Sequence, residues 1–282
     1  MTYPASDDRP FKHYSAKHRV VAWISQSLFD SVTYTVRRGL NKGMRRRGGL
    51  AWLPEFLAPS APTPEYLFWA SLNLRDLVIY DVGAFHGLLT LFFARRGRQV
   101  ISYEPNSLNY ARLMENLRLN GIQNVVVRKL GVGAKSETAT MVTSSLMPGG
   151  ASVDRETTEG LLRSNQKIVS EEIQITSLDQ DIRDSALPAP DFVKIDIEGG
   201  EWAALMGARE TLLAHHPQLF LEMHGDTMNL KRKSAAAIVD CLHALGYQDI
   251  LHVETGTAIT LENSDVAVEG HLYCPGPRGL SR

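Results

Sequence analysis

The sequence predicts an α/β protein, a mostly parallel sheet with helices on both faces, preceded by a helical, basic N-terminal segment. Three observations predict it. From residue 77 onward, short β-branched or apolar runs alternate with helical patterns, the order that builds parallel sheets. The first two strand-like runs each close on an acid, Asp81 and Glu104, just before a turn into a helix. The chain has 282 residues, 44% of them hydrophobic and 22% charged, which suits one large globular domain with an appendage. We expect that appendage over 1–70 and the α/β domain over 71–282.

In chain order, residues 15–47 read as helix, because Val21, Ile24, Leu28 and Val32 share one face at spacings of three and four. "FLAPSAPTPEYL" (56–67) is broken by prolines and reads as a linker. "LVIYDV" is a strand, "GLLTLFFARRG" a helix closed by Gly97, and "QVISYE" the second strand. "SLNYARLMENLRLNG" is a helix with Ser107 as N-cap and Gly121 just past its end. "NVVVRKLGV" is the third strand, and "ETATMVTSS" adds a hairpin arm. Residues 144–172, with "GGASV" and Ser152, read as a long irregular stretch of the kind used as lids or binding loops. "EEIQITSLD" follows, with Ser177 and Asp179 fixing a turn, then the buried strand "DFVKIDI". One helix over "GGEWAALMGARETLLAHH", with Trp202 as core, leads to the strand "QLFLEMH". A helix at 234–245 and strands near 248–253 and 270–274 complete the domain.

Composition excludes several classes. Net charge is −1, so no global field favours nucleic acid or membrane. The charge is uneven: residues 1–47 carry +7 and the remainder −8. Arg37, Arg38, Lys42, Arg45, Arg46 and Arg47 suit either peripheral contact with an anionic membrane or packing on the acidic domain or a second subunit. A homodimer built on this segment is one expectation. Cys241 and Cys274 fit neither a metal spacing nor a disulfide framework, which suits a reducing cytoplasm. No run reaches the ~20 apolar residues of a membrane span.

The stretch Asp81-Val82-Gly83-Ala84-Phe85-His86-Gly87 lacks the second glycine of the dinucleotide fingerprint and the Gly-Lys-Ser/Thr of a phosphate loop. That makes a nicotinamide oxidoreductase a poor fit. An acid at Asp81 suits a cationic amine better than a phosphate. Glu104, about 20 residues after Gly83, is spaced to accept both hydroxyls of a ribose. An adenosine ligand bearing an amine meets both demands, and S-adenosyl-methionine is such a ligand.

"IYDVGAFHGLLTLFFAR", "ISYEPNSLNYARLMENLRLNG", "ITSLDQ", "DFVKIDIEGGEWAALMGA" and "PQLFLEMHG" occur in that order. Over about residues 77–225 they resemble the FkbM-type S-adenosyl-methionine-dependent methyltransferases, "KIDIEGGE" being the most distinctive element. The resemblance implies a class I methyltransferase-like, seven-stranded sheet. It also implies methylation of a hydroxyl on a sugar, glycan or secondary metabolite, with a small-molecule or glycan acceptor; no nucleic-acid partner is expected, because no recognition motif is present and the α/β domain is acidic. Cofactor contacts are then expected from Asp81, Gly83, Ala84 and Gly87, from Glu104, Pro105 and Asn106, from Gly131 and Val132, and from Asp196. His86 departs from the small or polar residue expected at its position.

Methyl transfer to an alcohol needs a positioned acceptor and a group to take its proton. Alternation sets Lys194, Asp196 and Glu198 on one side of their strand, and Glu222 and His224 on one side of theirs. Asp196, Glu198, Glu222 and His224 are the candidate catalytic residues, with His224 as first candidate for general base. The same four suit a divalent metal, although no tight ligand motif supports one, and none is assigned. A rival expectation is a non-catalytic nucleotide-binding module docked on a partner through the basic arm.

Overall fold

The computed structural model describes residues 32–48, 62–144, 147–152, 168–225 and 227–276. Its centre is an eight-stranded sheet. Along it lie β5 (Val125–Arg128), β4 (Gln99–Tyr103), β3 (Val78–Val82), β10 (Phe192–Ile195) and β11 (Gln218–Glu222), all mutually parallel. Beyond β11, β14 (His271–Cys274) inserts antiparallel, followed by β12 (Leu251–His252) and β13 (Thr257–Ala258). The short β13 takes the count past the expected seven.

Strand alternation builds both faces. Val78, Tyr80, Val82, Val193, Ile195, Leu219 and Leu221 point to one core; Ile79, Phe192 and Phe220 point to the other. The first core is covered by α4 (Leu178–Asp184), α5 (Glu201–Gly207), α6 (Arg209–His215) and α7 (Met228–Ala244). The second is covered by α1 (Pro64–Ser71) and α2 (Leu88–Ala94), with Trp69 set among Phe92, Phe93 and Phe220. α3 (Ser107–Leu119) lies against α2 through Leu113 and Leu117.

Several elements differ from the sequence reading. Residues 32–47 hold not a helix but an antiparallel hairpin, β1 (Thr33–Thr35) and β2 (Arg45–Arg47), because glycines 39 and 43 turn the chain at φ of +74° and +87°. The expected helix face at Val21, Ile24 and Leu28 lies outside the described residues. The hairpin packs on α3: Arg47 pairs with Glu115 at 2.7 Å, and the Arg45 N–H donates to Asn120. The end of the supposed linker is α1, whose Thr63 N-cap and Pro64 start a helix that buries Trp69. Asn106, not Ser107, caps α3, accepting from the N–H groups of residues 108 and 109. The helix expected over 199–216 is two, broken at Ala208, and the Asp179 carboxylate accepts the Glu210 and Thr211 N–H groups at the start of α6. Trp202 is 48% exposed rather than core.

The stretch expected to be irregular is partly regular. β7 (Glu137–Ser144) pairs antiparallel with β8 (Met147–Ser152) and with β9 (Ile168–Thr176), and β9 joins β6 (Gly131–Val132). This four-stranded arm stands beside the carboxyl ends of β4 and β5. Residues 153–167 and the side chain of Ser152 lie outside the description. Among the described residues, no helix is long and apolar enough to cross a membrane.

Candidate active site

The turn after β3 is shaped by glycine. At Gly83, with φ of +80°, a Cβ would sit 1.7 Å from the Asp196 carbonyl oxygen, so only glycine lets this turn pass the end of β10. The Gly83 and Ala84 N–H groups donate to the Tyr103 carbonyl at 3.1 and 3.0 Å, tying the turn to β4. Gly87, again at φ +80°, starts α2 as an N-cap without a side chain.

Glu104 lies just beyond β4 and is 5% exposed. Its carboxylate accepts from the Phe85 N–H at 2.8 Å, the Asn106 N–H at 3.0 Å and Asn109 Nδ2 at 3.3 Å. Burial raises its pKa to about 7, outweighing those donors and the more distant Lys194 ammonium. An acid at this spacing is therefore held in one orientation before any ligand arrives.

Around these groups opens a cavity of about 420 Å³. Gly83, Glu104 and Pro105 line it at the ends of β3 and β4, and Gly131 and Val132 at the end of β5 and β6. Asp196, Glu198 and Glu222 line its other end. The arm supplies Met141, Ile173 and Ile175, and Phe85 and Leu130 add apolar surface. Those apolar walls were not anticipated; the alternation of "EEIQITSLD" was the available signal. Ala84, Gly87 and Asn106 do not line the cavity: they shape the turn and cap α2 and α3. His86 stacks on Phe85 at 3.8 Å between ring centroids and does not line the cavity either.

Asp81 is placed differently from expectation. Its parity on β3 is that of Ile79, so its side chain turns towards α2 and is fully buried. Thr90 Oγ1 donates to it at 2.6 Å, and Lys194 Nζ lies 3.3 Å away. Lys194, its neighbour in register on β10, also donates to the Gly83 carbonyl at 2.7 Å and lies 3.1 Å from Asp196. Burial works against the ammonium, but the Asp196 and Asp81 carboxylates outweigh it and hold its pKa above the usual lysine value. Asp81 thus braces the glycine turn from beneath through Lys194 and does not reach the cavity.

At the rim, Glu198 follows β10 at a left-handed φ of +56°, so the turn rather than strand alternation positions it. Its pKa is raised to about 7 by burial, which His224 opposes and Asp196, Glu222 and Glu201 reinforce. Burial also works against the charge on Asp196, yet Lys194 and His224 hold its pKa below the ordinary carboxylate value. His224 Nε2 lies 3.5 Å from Glu198, 3.6 Å from Glu222 and 3.8 Å from Asp196. Its Nδ1 is 2.8 Å from Glu201 Oε1. Burial opposes charge on this imidazole, but Glu201, Glu198 and Asp196 raise its pKa to about 9. That shift favours the imidazolium at neutral pH, which argues against the expected role of general base. Glu201, 1% exposed, also accepts the Gly199 N–H at 3.0 Å and was not singled out in the sequence, although it ends "KIDIEGGE".

The fold and this cleft define a class I methyltransferase-like protein: a parallel sheet with its cofactor-sized cavity beyond the carboxyl ends of the strands. The model of the methyltransferase FkbM domain matches residues 81–248. The chain belongs to that family. A curated relative, the AMB antimetabolite synthetase AmbE of Pseudomonas aeruginosa, is 25% identical over 205 residues, 61% of this chain and 10% of that protein. The solved methyltransferase FkbM of Methylobacillus flagellatus is 21% identical with a TM-score of 0.46, covering 75% of this chain and 50% of that one. A putative methyltransferase of Streptococcus mutans, solved with S-adenosyl-homocysteine, is 10% identical with a TM-score of 0.41, covering 76% of this chain and 98% of that one. The chain thus spans a tenth of the curated relative and half of the first of these structures.

Proposed function

We propose that this protein transfers a methyl group from S-adenosyl-methionine to a hydroxyl of a sugar, glycan or secondary metabolite. The observation that carries the reading is the carboxylate rim: Asp196, Glu198 and Glu222 line the same cavity as the glycine turn and Glu104. In this reading Glu104 accepts the ribose hydroxyls. Gly83 lets the backbone approach the methionine portion, while Pro105, Gly131 and Val132 border the adenine.

The transfer is an in-line displacement. The acceptor oxygen forms a bond to the methyl carbon as the carbon–sulfur bond breaks, and the electron pair of that bond stays on sulfur as S-adenosyl-homocysteine. The hydroxyl proton passes to one of the rim carboxylates, which line the cavity while His224 sits behind them with Nδ1 committed to Glu201. Positioning supplies most of the acceleration, since the sulfonium is already a good leaving group.

Two measurements test this. Calorimetric titration with S-adenosyl-methionine, S-adenosyl-homocysteine and NAD should show micromolar binding of the first two and none of the third. Transfer of labelled methyl should then appear on hydroxylated glycosides and polyketide-like alcohols. Label found only on amine or carbon acceptors would overturn the O-methyl assignment.

A further inference from the structure

We propose that the basic end of the molecule, where the β1–β2 hairpin meets the ends of α2 and α3, docks on an anionic lipid bilayer. Residues 32–48 and 88–120 hold eleven Lys/Arg, six in the hairpin, three after α2 and two on α3, against two acids, Glu104 and Glu115. Glu104 is buried at the cleft. Glu115 is shared between Arg47 and Arg118, at 2.7 and 3.5 Å.

Short contacts gather the cations. Arg95, at the end of α2, donates from Nη1 to the Lys42 carbonyl in the hairpin turn at 3.0 Å. Asn120, at the end of α3, donates from Nδ2 to the Arg45 carbonyl at 2.7 Å. Arg96 and Arg98 lie within three residues of Arg95, and the Arg96 guanidinium sits 4.0 Å over the Phe92 ring. Arg37, Arg38, Lys42 and Arg45 are exposed on the hairpin, as are Arg95, Arg96 and Arg98 after α2. The chain enters β4 and β5 from the ends of α2 and α3, so this basic end lies at the amino ends of the strands. The cavity lies at their carboxyl ends. Docking here leaves the cleft uncovered and does not depend on the methyltransferase reading.

Charge elsewhere orients the molecule. Residues 240–270, which include β12 and β13 at the other edge of the sheet, carry six acids and no Lys or Arg. A net charge of −1 gives no overall pull towards an anionic surface, so attraction arises only with the basic end facing it.

A bilayer suits this face better than other polyanions. The centre of a protein–protein interface is depleted of charge, whereas residues 36–45 and 95–98 expose no large hydrophobic side chain. Single-stranded nucleic acid is held on aromatic platforms, and duplexes by an element that enters a groove. The described hairpin, α2 and α3 expose no aromatic side chain, and α3 is seated between the hairpin and α2. Clustered Lys and Arg bind anionic headgroups by electrostatics alone, reversibly and with strong salt dependence.

The test is co-sedimentation of the full chain with vesicles of phosphatidylcholine, alone or with about 30% phosphatidylserine. The native chain should bind only the anionic vesicles, and raising salt from about 0.1 M to about 0.5 M should release it. Each cation at the surface contributes about fivefold to partition, so Arg37→Gln/Arg38→Gln/Lys42→Gln should lower it about 100-fold and Arg95→Gln/Arg98→Gln about 25-fold. Arg209→Gln/Arg232→Gln/Lys233→Gln removes the same charge from α6 and α7, on the other face of the sheet, and should change partition by less than about threefold. All the substituted side chains are exposed, and unchanged melting temperatures check that the variants fold. No binding to anionic vesicles, or an equal loss in the α6–α7 variant, overturns the proposal. So does tighter binding of a single-stranded RNA in fluorescence anisotropy, which would assign the face to nucleic acid. Salt-sensitive self-association without lipid, abolished in the hairpin variant, would assign it to the acidic edge of a second copy and overturn the proposal equally.

Discussion

Cofactor affinity should depend on pH through Glu104. In the proposed role its ionised carboxylate accepts two ribose hydroxyls, and its pKa in the empty protein is raised to about 7. The ionised fraction is then about nine-tenths at pH 8 and one-tenth at pH 6, so the apparent dissociation constant rises roughly tenfold over that interval. Stability carries the opposite signature. A carboxylate whose folded pKa lies above its ordinary 4.5 stabilises the fold below pH 4.5. That contribution is lost as pH rises through 7. One pKa unit corresponds to 1.36 kcal/mol, so the loss between pH 5 and 8 is about 2–3 kcal/mol. Glu104→Gln isolates this from His224, His271 and Glu198, whose raised pKa values slope the same way. The groups facing Glu104 are the N–H groups of Phe85 and Asn106, the Asn109 amide and Lys194. Chemical denaturation of both proteins from pH 5 to 8 should give a stability difference that changes by that amount, with the native chain losing ground as pH rises. Calorimetry of S-adenosyl-homocysteine should show the tenfold change only in the native chain. A flat affinity profile in the native protein, or an identical one in the variant, would refute the reasoning.

Three further outcomes are expected. Asp81→Asn removes one carboxylate from a fully buried lysine and should lower unfolding free energy by about 3 kcal/mol. Residual cofactor affinity in the fraction that stays folded would separate this bracing role from direct contact, and a stability change under about 0.5 kcal/mol would contradict the brace. Gly83→Ala sets a methyl group against the Asp196 carbonyl at a left-handed backbone and should abolish detectable S-adenosyl-homocysteine binding in calorimetry; native affinity would contradict the close approach. Glu171→Ala frees the arm from α3, where this carboxylate accepts from Asn106 Nδ2, the Ser107 N–H and the Ser107 hydroxyl. Faster hydrogen exchange confined to β7 and β9 checks it, and an unchanged exchange pattern would mean that the arm is held elsewhere.

The sequence was informative where local pattern and burial agree. "LVIYDV", "QVISYE" and "DFVKIDI" became β3, β4 and β10, because buried parallel strands need unbroken apolar runs and glycine turns. It misled where a weak helical period met turn residues. Val32 closes a face at spacing four, yet Gly39 and Gly43 fold the same segment into a hairpin that Asn116, Asn120 and Glu115 then hold. The break at Ala208 was hidden for another reason: Asp179, some thirty residues earlier, supplies the cap for α6, and no local window contains it. Long-range capping of that kind leaves no periodic trace.

Asp81 and Glu104 show why spacing alone does not decide which acid faces the cleft. Both acids lie near the carboxyl ends of strands, but Glu104 lies one residue beyond β4, where the chain has left the sheet and the residue lines the cleft. Asp81 is still within β3, and strand parity sends it to the α2 side. There its charge needs a partner, and the residue beside it in register on β10 is Lys194. Lys194 then holds the Gly83 carbonyl and Asp196 together. The buried pair therefore links the glycine turn to the acidic rim. An acid outside the cavity thus helps to fix the distance between the glycine turn and the carboxylates of the rim.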